Sequence, residues 1–206
     1  MIPNPTKKRL LQLHLLLTQL KDSFITSVEI ENIMGWKDTS VRKDISYVLK
    51  NETVTSTSNG YNRIELQCAI EKTLELASQN HAEKKCCIVG LGKIAQGIIQ
   101  TKDFEKSGFV LSVGFDSSIN RVETFNAPFP LYTMNKLEHV IAKNNITFAI
   151  LDVPDECASE IGKRLSACGI TGIVNYTHTI LPVPHTTKVK NVSVIAVLTE
   201  LGIKDN

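Results

Sequence analysis

The sequence predicts an α/β protein with a small helical N-terminal domain, a larger C-terminal domain around a parallel sheet, and a terminal helix. Two short helices joined by a tight turn lie in the first third of the chain, and a glycine-rich turn at 90–95 joins an apolar strand to a helix. Strands and helices then alternate, which requires a parallel sheet covered on both faces. We place the domains at residues 1–80 and 84–191, and the terminal helix at 192–206.

The bulk composition is that of a globular protein. The chain has 206 residues, of which 42% are hydrophobic, and a net charge of +2. It has no run of eighteen apolar residues that could span a membrane, and its first residues lack the order of a secretory signal. We therefore expect a soluble cytoplasmic protein with no membrane partner.

The cysteines and histidines show no recognisable site. The five cysteines are odd in number and never spaced as Cys-x-x-Cys, so we interpret them as buried reduced thiols, with a thiol redox sensor as the alternative. None of the five histidines has metal-ligand spacing to another histidine, cysteine or acid. We expect no metal site.

The first predicted helix covers about Thr6 to Lys21, because leucines recur there at intervals of three and four residues. The pattern breaks over residues 22–25. Thr26 and Glu29 then form a predicted capping box, in which each side chain satisfies an amide of the other residue. The second helix should end at Gly35, since glycine tolerates the left-handed conformation of a helix stop.

A third helix is predicted from the N-cap candidate Thr39 to Lys50. At 100° per residue this helix has two distinct faces. The apolar face comprises Val41, Ile45, Val48 and Leu49, and the polar face comprises Ser40, Lys43, Ser46, Tyr47 and Lys50. Basic residues are concentrated in this third of the chain, which suits a phosphate-binding surface but also an ordinary solvated one.

The two short helices around residues 35–38 have the spacing of a helix-turn-helix, whose second helix enters the DNA major groove. The polar run 53–57 followed by Asn59-Gly60 predicts a hairpin, the wing of a winged helix. A helix from Ile64 to about Ser78 closes this domain, and residues 79–85 are the expected linker. An ordinary amphipathic helix without a DNA-reading role is the alternative.

An apolar strand at residues 86–89 leads into the motif G-x-G-x-x-A, formed by Gly90, Leu91, Gly92, Lys93, Ile94 and Ala95. Gly90 permits the tight turn, Gly92 lets a pyrophosphate approach the backbone, and Ala95 keeps the helix close to the strand. Asp116 ends the next predicted strand, where a carboxylate would accept from a ribose hydroxyl and repel a 2′-phosphate. These residues predict an NAD(H) site in a Rossmann domain. A turn retained only for packing is the alternative.

The rest of the chain continues the alternation, with a helix at 135–144, a strand at 148–153, a helix at 155–168 and a strand at 172–176. This length suffices for one nucleotide-binding sheet and leaves no substrate domain. The segment from Val192 to Gly202 has apolar residues in helical register. Such a short apolar helix must pack on another surface, and a partner subunit is a natural candidate.

Short residue groups that occur together along nearly the whole chain resemble one family. The groups are Ile2-Pro3, Lys8-Arg9-Leu10, Val41-Arg42-Lys43-Asp44-Ile45-Ser46-Tyr47, Gly60-Tyr61, the glycine turn, Phe115-Asp116, Ala149-Ile150-Leu151, Val153-Pro154, Gly169-Ile170, Gly172-Ile173, Asn175-Tyr176, Val183-Pro184, Val189 and Asn191-Val192. Together they resemble the Rex family of redox-sensing repressors. The resemblance implies a repressor of fermentative and respiratory genes that NADH releases from a palindromic operator, whereas NAD+ permits binding. It also implies a homodimer with a domain-swapped terminal helix.

By this resemblance Arg42, Lys43 and Ser46 are the first candidates for DNA contacts. The full predicted DNA-binding set is Lys8, Arg9, Ser40, Arg42, Lys43, Ser46, Tyr47, Lys50 and Tyr61. The predicted cofactor-binding set is the six residues from Gly90 to Ala95, together with Asp116.

Three positions depart from the family pattern. Leu15 stands where the family usually has an arginine in the first helix, and Ser193 stands where an aspartate usually begins the terminal helix. Those two charges are thought to pair across subunits. Thr101 replaces a tyrosine near the nicotinamide, and the wing lacks the usual glycine, phenylalanine and arginine. A Rex-like DNA-binding paralogue that responds to another ligand, or to none, is therefore an alternative.

A small NAD- or CoA-binding enzyme is a further alternative, because a Rossmann turn serves many chemistries. However, His178 and His185 lie in a proline-flanked loop without a recognisable acid–base partner. We interpret His178 as a loop residue with a structural or solvent role. The sequence therefore favours a DNA-binding protein that is not an enzyme.

Overall fold

The computed structural model describes residues 2–76, 83–101, 104 and 107–203. The chain divides into two compact units, Met1–Asn80 and His81–Asn206, called here the N-terminal and C-terminal units. Part of the expected linker, residues 79–82, lies outside the described residues, and its last two residues instead begin a strand. No helix within the described ranges is both long and apolar enough to cross a membrane.

The N-terminal unit combines four helices with a small antiparallel sheet. Its described elements are α1 (Asn4–Gln19), β1 (Phe24–Ile25), α2 (Ser27–Met34), α3 (Asp38–Val48), β2 (Ser56–Thr57), β3 (Gly60–Asn62) and α4 (Arg63–Thr73). The strand order is β1-β3-β2. This is the predicted winged helix-turn-helix arrangement.

Two of the helix starts differ from the prediction. Helix α1 begins two residues early, after Pro3, because Pro5 lies within its first turn, where a missing N–H costs no hydrogen bond. Helix α3 begins at Asp38, so Thr39 is not its N-cap; the N-cap is Lys37, whose side chain makes no capping bond. At the other end, Leu49 is 39% exposed and does not belong to the buried face.

The small sheet adds one strand to the prediction and corrects the position of the hairpin turn. The helical pattern breaks over residues 22–25 as predicted, and there Phe24 pairs with Asn62 and Ile25 with Tyr61 to form the short strand β1. The hairpin turn is Ser58-Asn59 rather than Asn59-Gly60, since Gly60 already pairs with Thr57. Gly60 has φ +100°, and a Cβ there would stand 2.3 Å from the Ile25 oxygen, so only glycine fits.

The core of the N-terminal unit is formed by apolar side chains from all four helices. It comprises Leu10, Leu13, Leu17, Ile25, Ile30, Val41, Ile45, Val48, Val54, Leu66, Ala69 and Ile70. The leucine periodicity of α1 and the 3.6-residue period of α3 therefore predicted the correct buried faces.

The C-terminal unit alternates strands and helices as predicted. Its described elements are β4 (Lys84–Val89), α5 (Lys93–Gln100), β5 (Phe109–Asp116), α6 (Ile119–Thr124), β6 (Leu131–Thr133), a 3-10 turn (Met134–Lys136), α7 (Leu137–Asn144), β7 (Phe148–Leu151), α8 (Asp155–Ala167), β8 (Gly172–Asn175), β9 (Lys188–Asn191) and α9 (Val194–Gly202). Helix α6 and strands β6 and β9 are short and were not predicted from the sequence.

The six strands form one parallel sheet in the order β6-β5-β4-β7-β8-β9. This is the doubly wound order of a Rossmann domain, in which the chain reverses direction across the sheet between β4 and β7. The carboxyl ends of these two neighbouring strands therefore border the crevice where such sheets bind ligands.

Successive residues of the central strands pack on opposite faces of the sheet. Cys87 and Val89 pack with side chains of α7 and α8, whereas Ile88 packs with Ala95 of α5. Part of the second face carries no helix among the described residues, because the connection from β8 to β9 is irregular. A cavity of about 490 Å³ lies there, with Ile150 and Val174 in its apolar lining.

The cysteines only partly follow the prediction of buried thiols. Cys86 and Cys87 are buried, and burial raises the pKa of the Cys86 thiol to about 12 and that of Cys87 further. Both therefore remain protonated and unreactive at neutral pH. Cys68 and Cys157 are exposed, so the prediction was wrong for these two.

Candidate functional site

Hydrogen bonds fix both the start of α2 and the turn between α2 and α3. The predicted capping box is present: the Glu29 N–H donates to Thr26 Oγ1 at 3.1 Å, and the Thr26 N–H donates to Glu29 Oε2 at 2.7 Å. Gly35 ends α2 with φ +71°, and the Asp38 N–H then donates to Glu31 Oε2 at 3.2 Å. These bonds set the direction of α3.

Helix α3 presents a polar and basic outer face, as predicted. Lys43, Ser46 and Lys50 are exposed, whereas Ser40 and Tyr47 are half-buried. The Lys50 Nζ lies 5.0 Å from the centroid of the Tyr47 ring, a cation–π contact that holds both side chains at the end of the helix. The result is a row of donors on the solvent side of a helix-turn-helix.

Arg42 is also exposed, but it has partners within its own unit. Its Nε donates to Ser27 Oγ at 3.1 Å, and its guanidinium pairs with Asp38 one turn earlier. These contacts extend the side chain along the amino-terminal end of α3. An exposed pair of this kind is weak, so the guanidinium can exchange partners at little cost.

Arg9 differs from the expectation of a free DNA-facing cation. Its Nη2 donates to Asp44 Oδ1 at 2.9 Å, its Nε donates to the other carboxylate oxygen, and Thr6 Oγ1 adds a bond of 2.9 Å. The hydrogen bond to Asp44 raises the pKa of the Arg9 guanidinium. Asp44 is 3% exposed, so this contact joins α1 to the inner face of α3. The apolar pattern alone had not shown that a carboxylate lies on that face.

The remaining predicted DNA-binding residues occupy different environments. Lys8 is exposed on α1. Tyr61 is half-buried in the central strand β3 and packs against the core of the unit, so its ring has a structural contact. The wing strand β2 contributes exposed hydroxyl side chains and no cation.

The glycine turn between β4 and α5 has the geometry that its motif predicts. Gly90 has φ +98°, and a Cβ there would stand 1.7 Å from the Asp152 backbone oxygen, so any side chain would collide with the end of β7. Ala95 is fully buried between helix and sheet. The turn is therefore tight, and α5 lies close to β4.

The start of α5 is suited to an anion. Gly92 is its N-cap and supplies no side-chain cap, so the first N–H groups of the helix lack intrahelical partners. Lys93 is exposed at the same end and adds a positive charge. A helix start with free N–H groups and a nearby cation favours a phosphate.

Asp116 is brought to the glycine turn, as the spacing predicted. Its Oδ2 accepts from the Leu91 N–H at 2.9 Å, and its Oδ1 accepts from the Ser118 N–H at 2.8 Å. Arg121 Nη1 lies 3.4 Å from the same carboxylate, which is 3% exposed. The carboxylate therefore supports the turn, and a ribose hydroxyl would be an additional donor to it.

Three titratable residues that follow the carboxyl ends of β7 and β8 had not been predicted as a group. Asp152 Oδ2 lies 3.2 Å from the position of a Cβ on Gly92. The Asp155 carboxylate accepts from the His178 N–H at 2.9 Å and lies 3.4 Å from His178 Nδ1. His178 thus has an acidic partner, which sequence spacing did not reveal. The sequence did contain a signal for this group, because Asp152 directly follows the buried strand β7 at the point where the strand order reverses.

The three positions that depart from the family pattern have local roles or none. Leu15 is 54% exposed on α1. Thr101 ends α5, and its hydroxyl donates to the Ile98 oxygen at 2.9 Å. Ser193 caps α9 by accepting from the Ala196 N–H at 3.2 Å. None of these three side chains carries a charge.

Two family models match the chain, one in each unit. The model described as "Putative DNA-binding protein N-terminus" matches residues 1–46. The model described as "CoA binding domain" matches residues 81–179.

Curated relatives match over most of their length. The redox-sensing transcriptional repressor Rex of Leuconostoc citreum is 30% identical over 194 residues, which cover 93% of this chain and 87% of that protein. The protein of the same name from Bacillus licheniformis is 27% identical over 203 residues, covering 97% and 91%.

Solved structures agree with these relatives. RSP, a Rex-family repressor, matches in its complex with β-NADH with a TM-score of 0.82 and 28% identity, covering 98% of this chain and 93% of RSP. RSP in complex with β-NAD+ and operator DNA matches with a TM-score of 0.83 and 27% identity, covering 98% and 91%. Because these relatives and solved structures match nearly the whole chain, in sequence and in fold, this chain belongs to the Rex family of redox-sensing transcriptional repressors.

Proposed function

We propose that this protein is a homodimeric transcriptional repressor that binds a palindromic operator and is released from it by NADH. The observation that carries the proposal is the presence, in one chain, of a helix-turn-helix with a basic outer face and a glycine turn joined to Asp116. Relatives named as redox-sensing repressors and the ligands of RSP support it. A repressor acts where the DNA is, so we place it in the cytoplasm.

The proposed DNA contacts lie on α3 and beside it. Ser40, Arg42 and Lys43 at the amino-terminal end of α3 would reach base edges and phosphates. Ser46, Tyr47 and Lys50 would follow the backbone further along, and Lys8 would add a phosphate contact. Arg9 and Tyr61, the other two residues of the predicted set, would act by positioning α1 and the wing.

The proposed cofactor is NAD(H), held by the glycine turn and Asp116. The residues fit such a ligand because Gly90 and Gly92 leave the turn free of side chains and the start of α5 offers N–H donors. Lys93 would face the pyrophosphate, and Asp116 would accept from the adenosine ribose. Leu91, Ile94 and Ala95 complete the turn and its packing.

The proposed dimer rests on uncovered apolar surface in the C-terminal unit. Helix α9 exposes Val194, Ile195, Leu198 and Leu201, each between 58% and 77%. The sheet face over β7 to β9 has the apolar cavity described above. A second copy that exchanges α9 would cover apolar surface on both chains, which is the domain-swapped arrangement.

The experiment is an electrophoretic mobility shift with an operator selected from random duplex DNA. We expect selection to yield a palindrome, NADH to release the protein, and NAD+ to leave it bound. Gly90→Ala should lose the NADH response because its Cβ collides with β7, whereas Gly97→Ala should keep it, since a Cβ there meets nothing within 4 Å. No palindrome, or release of Gly90→Ala by NADH, would contradict the proposal.

A Rex-like paralogue that answers to another ligand, or to none, is the second candidate. The observations that favour it are the uncharged Leu15 and Ser193 and the internally bonded hydroxyl of Thr101. Calorimetry with NADH and NAD+ separates the two candidates. Equal affinity for both forms would favour the second, because a ligand shifts an equilibrium only through differential binding.

A further inference from the structure

The reversal point of the sheet divides the dinucleotide site into two halves. In doubly wound sheets each half binds one mononucleotide, and the pyrophosphate crosses between them at the glycine turn. Asp116 at the end of β5 marks the adenosine half. The ends of β7 and β8, on the other side of β4, therefore border the nicotinamide half.

Asp152 is the acidic residue of that half that lies against the turn. Its backbone N–H donates to the Val89 oxygen at 2.8 Å, so its position follows from the pairing of β7 with β4. Its Oδ2 lies 3.2 Å from where a Cβ on Gly92 would stand. The side chain is half-buried, and burial raises the pKa of the carboxyl.

The Asp152 carboxylate has no hydrogen bond or ion pair with any residue in the described part of the chain. The other acidic and basic side chains near these strand ends and helix starts are Lys93, Asp155, Glu156 and His178. Asp155 is occupied by the His178 backbone and ring, and Lys93 is exposed at the start of α5. Asp152 is thus an unpaired carboxylate beside the turn.

The loop that carries His178 is fixed by hydrogen bonds. Asn175 is fully buried; its Nδ2 donates to the Thr179 oxygen at 2.9 Å, and its Oδ1 accepts from the Thr177 N–H at 3.1 Å and hydroxyl at 2.8 Å. The Thr179 hydroxyl donates to the Asp155 backbone oxygen at 3.1 Å. These bonds hold the His178 backbone at Asp155, and within the described residues His178 makes no hydrogen bond or ion pair with Asp152.

The two redox forms of the cofactor differ in charge at the half that Asp152 borders. The nicotinamide ring carries one positive charge when oxidised and none when reduced. A half-buried carboxylate attracts that charge more strongly than a fully solvated one does. Its repulsion of the pyrophosphate is the same for both forms and cancels in their ratio.

We propose that Asp152 is a specificity-determining residue of the dinucleotide site. It strengthens the binding of NAD+ relative to NADH and so reduces the ratio of the affinity for NADH to the affinity for NAD+. This inference rests on the proposed NAD(H) function. Its consequence is that DNA release requires a higher NADH/NAD+ ratio than it would without this carboxylate, since only the affinity ratio sets the switch point.

The test is calorimetry of NAD+, NADH and ADP-ribose with the full chain and with Asp152→Asn and Asp152→Ser. Glu156→Gln is the matched control, because it removes the same charge from the exposed first turn of α8. We expect both Asp152 variants to weaken NAD+ relative to NADH about tenfold, ADP-ribose to change in parallel with NADH, and Glu156→Gln to leave the ratio unchanged. Operator binding without ligand checks that each variant is folded.

The outcomes separate this inference from the proposed function. If the unaltered protein binds neither NAD+ nor NADH, the proposed function and the inference fall together. If it binds both and the Kd ratio of the two Asp152 variants stays within twofold of the original, only the inference is overturned. Equal weakening of all three ligands would assign Asp152 a structural role and would also overturn it.

Discussion

Single residues in the N-terminal unit decide how its helices meet. Asp44 lies on the otherwise apolar inner face of α3, where a charge is tolerated only because Arg9 and Thr6 satisfy both carboxylate oxygens. Charge pairs of this kind orient elements more than they stabilise them, because the attraction offsets a desolvation cost. The contact therefore fixes α1 relative to the DNA-facing helix.

Asp44→Ala should destabilise the N-terminal unit by about 2–3 kcal/mol, since it leaves Arg9 without its partner; the partial exposure of Arg9 keeps the cost below that of a fully buried pair. Urea unfolding followed by Trp36 fluorescence measures this, because Trp36 is the single tryptophan and packs on that core. Asp38→Ala is the control: its pair with Arg42 is more exposed and should contribute less than about 1 kcal/mol. Equal losses of unfolding free energy in the Asp44→Ala and Asp38→Ala proteins would contradict this role of the Asp44 pair.

A second contact between side chains makes the stability of the N-terminal unit depend on pH. His14 Nε2 donates to Glu71 Oε1 at 2.8 Å between α1 and α4, and this bond lowers the pKa of the Glu71 carboxyl. A lowered folded-state pKa means that the stabilisation is present above the unfolded pKa of about 4.3 and is lost as the pH falls through the folded pKa. Acid should therefore loosen α1 from α4.

Glu71→Gln should flatten the dependence of unfolding free energy on pH below about pH 5, because the amide cannot titrate. Urea titrations by Trp36 fluorescence at a series of pH values provide the measurement. Glu29 also has a lowered pKa, through its capping bonds to Thr26, so the variant should keep a smaller slope. Profiles that run parallel for the two proteins would rule out this contribution.

At the scale of elements, α3 is the helix proposed to contact DNA. Its inner face is fixed by the core, and its outer face carries cations that face solvent. Phosphate contacts release counterions, so each one steepens the dependence of affinity on salt. A cation of α3 should therefore affect operator and random DNA alike.

Lys43→Ala should weaken binding to both kinds of DNA and reduce the slope of log affinity against log salt by about one. Fluorescence anisotropy from low to moderate salt gives the slope. Lys163→Ala removes the same charge from the exposed side of α8 in the C-terminal unit and should leave both the affinity and the slope unchanged. A loss confined to the operator would instead assign Lys43 a base contact.

At the scale of the whole molecule, α9 has an apolar side that the described part of the chain leaves exposed. Its apolar residues 194, 195, 197, 198 and 201 cluster on one side at 100° per residue, and all are more than half exposed. Exposed apolar area on this scale is typical of an interface. Assembly should therefore complete the C-terminal unit.

Leu198→Asp should convert the proposed dimer to monomers at micromolar concentration, because it places a charge in the centre of that apolar side. Sedimentation velocity measures the species directly. Ala196→Asp adds the same charge on the opposite side of α9 and should remain dimeric. A Leu198→Asp protein that sediments as the unaltered one does would remove α9 from the interface.

Features that depend on local chemistry and periodicity could be predicted from the amino-acid sequence alone. The capping box at Thr26, the left-handed stop at Gly35, the glycine turn at Gly90 and the alternation of strands and helices each follow from a few adjacent residues. Family membership could also be predicted, because residue groups that resemble those of the Rex family lie along nearly the whole chain.

Contacts between residues that lie far apart in the sequence became visible only in the folded structure. It paired Arg9 with Asp44, formed β1 by pairing residues 24–25 with β3, and placed Asp152 beside Gly92 and His178 beside Asp155. The physical reason is that a two-residue strand or a buried charge is stable only through partners supplied by the fold. Periodicity reports which side of an element is buried, and the packed chain determines which atoms lie opposite.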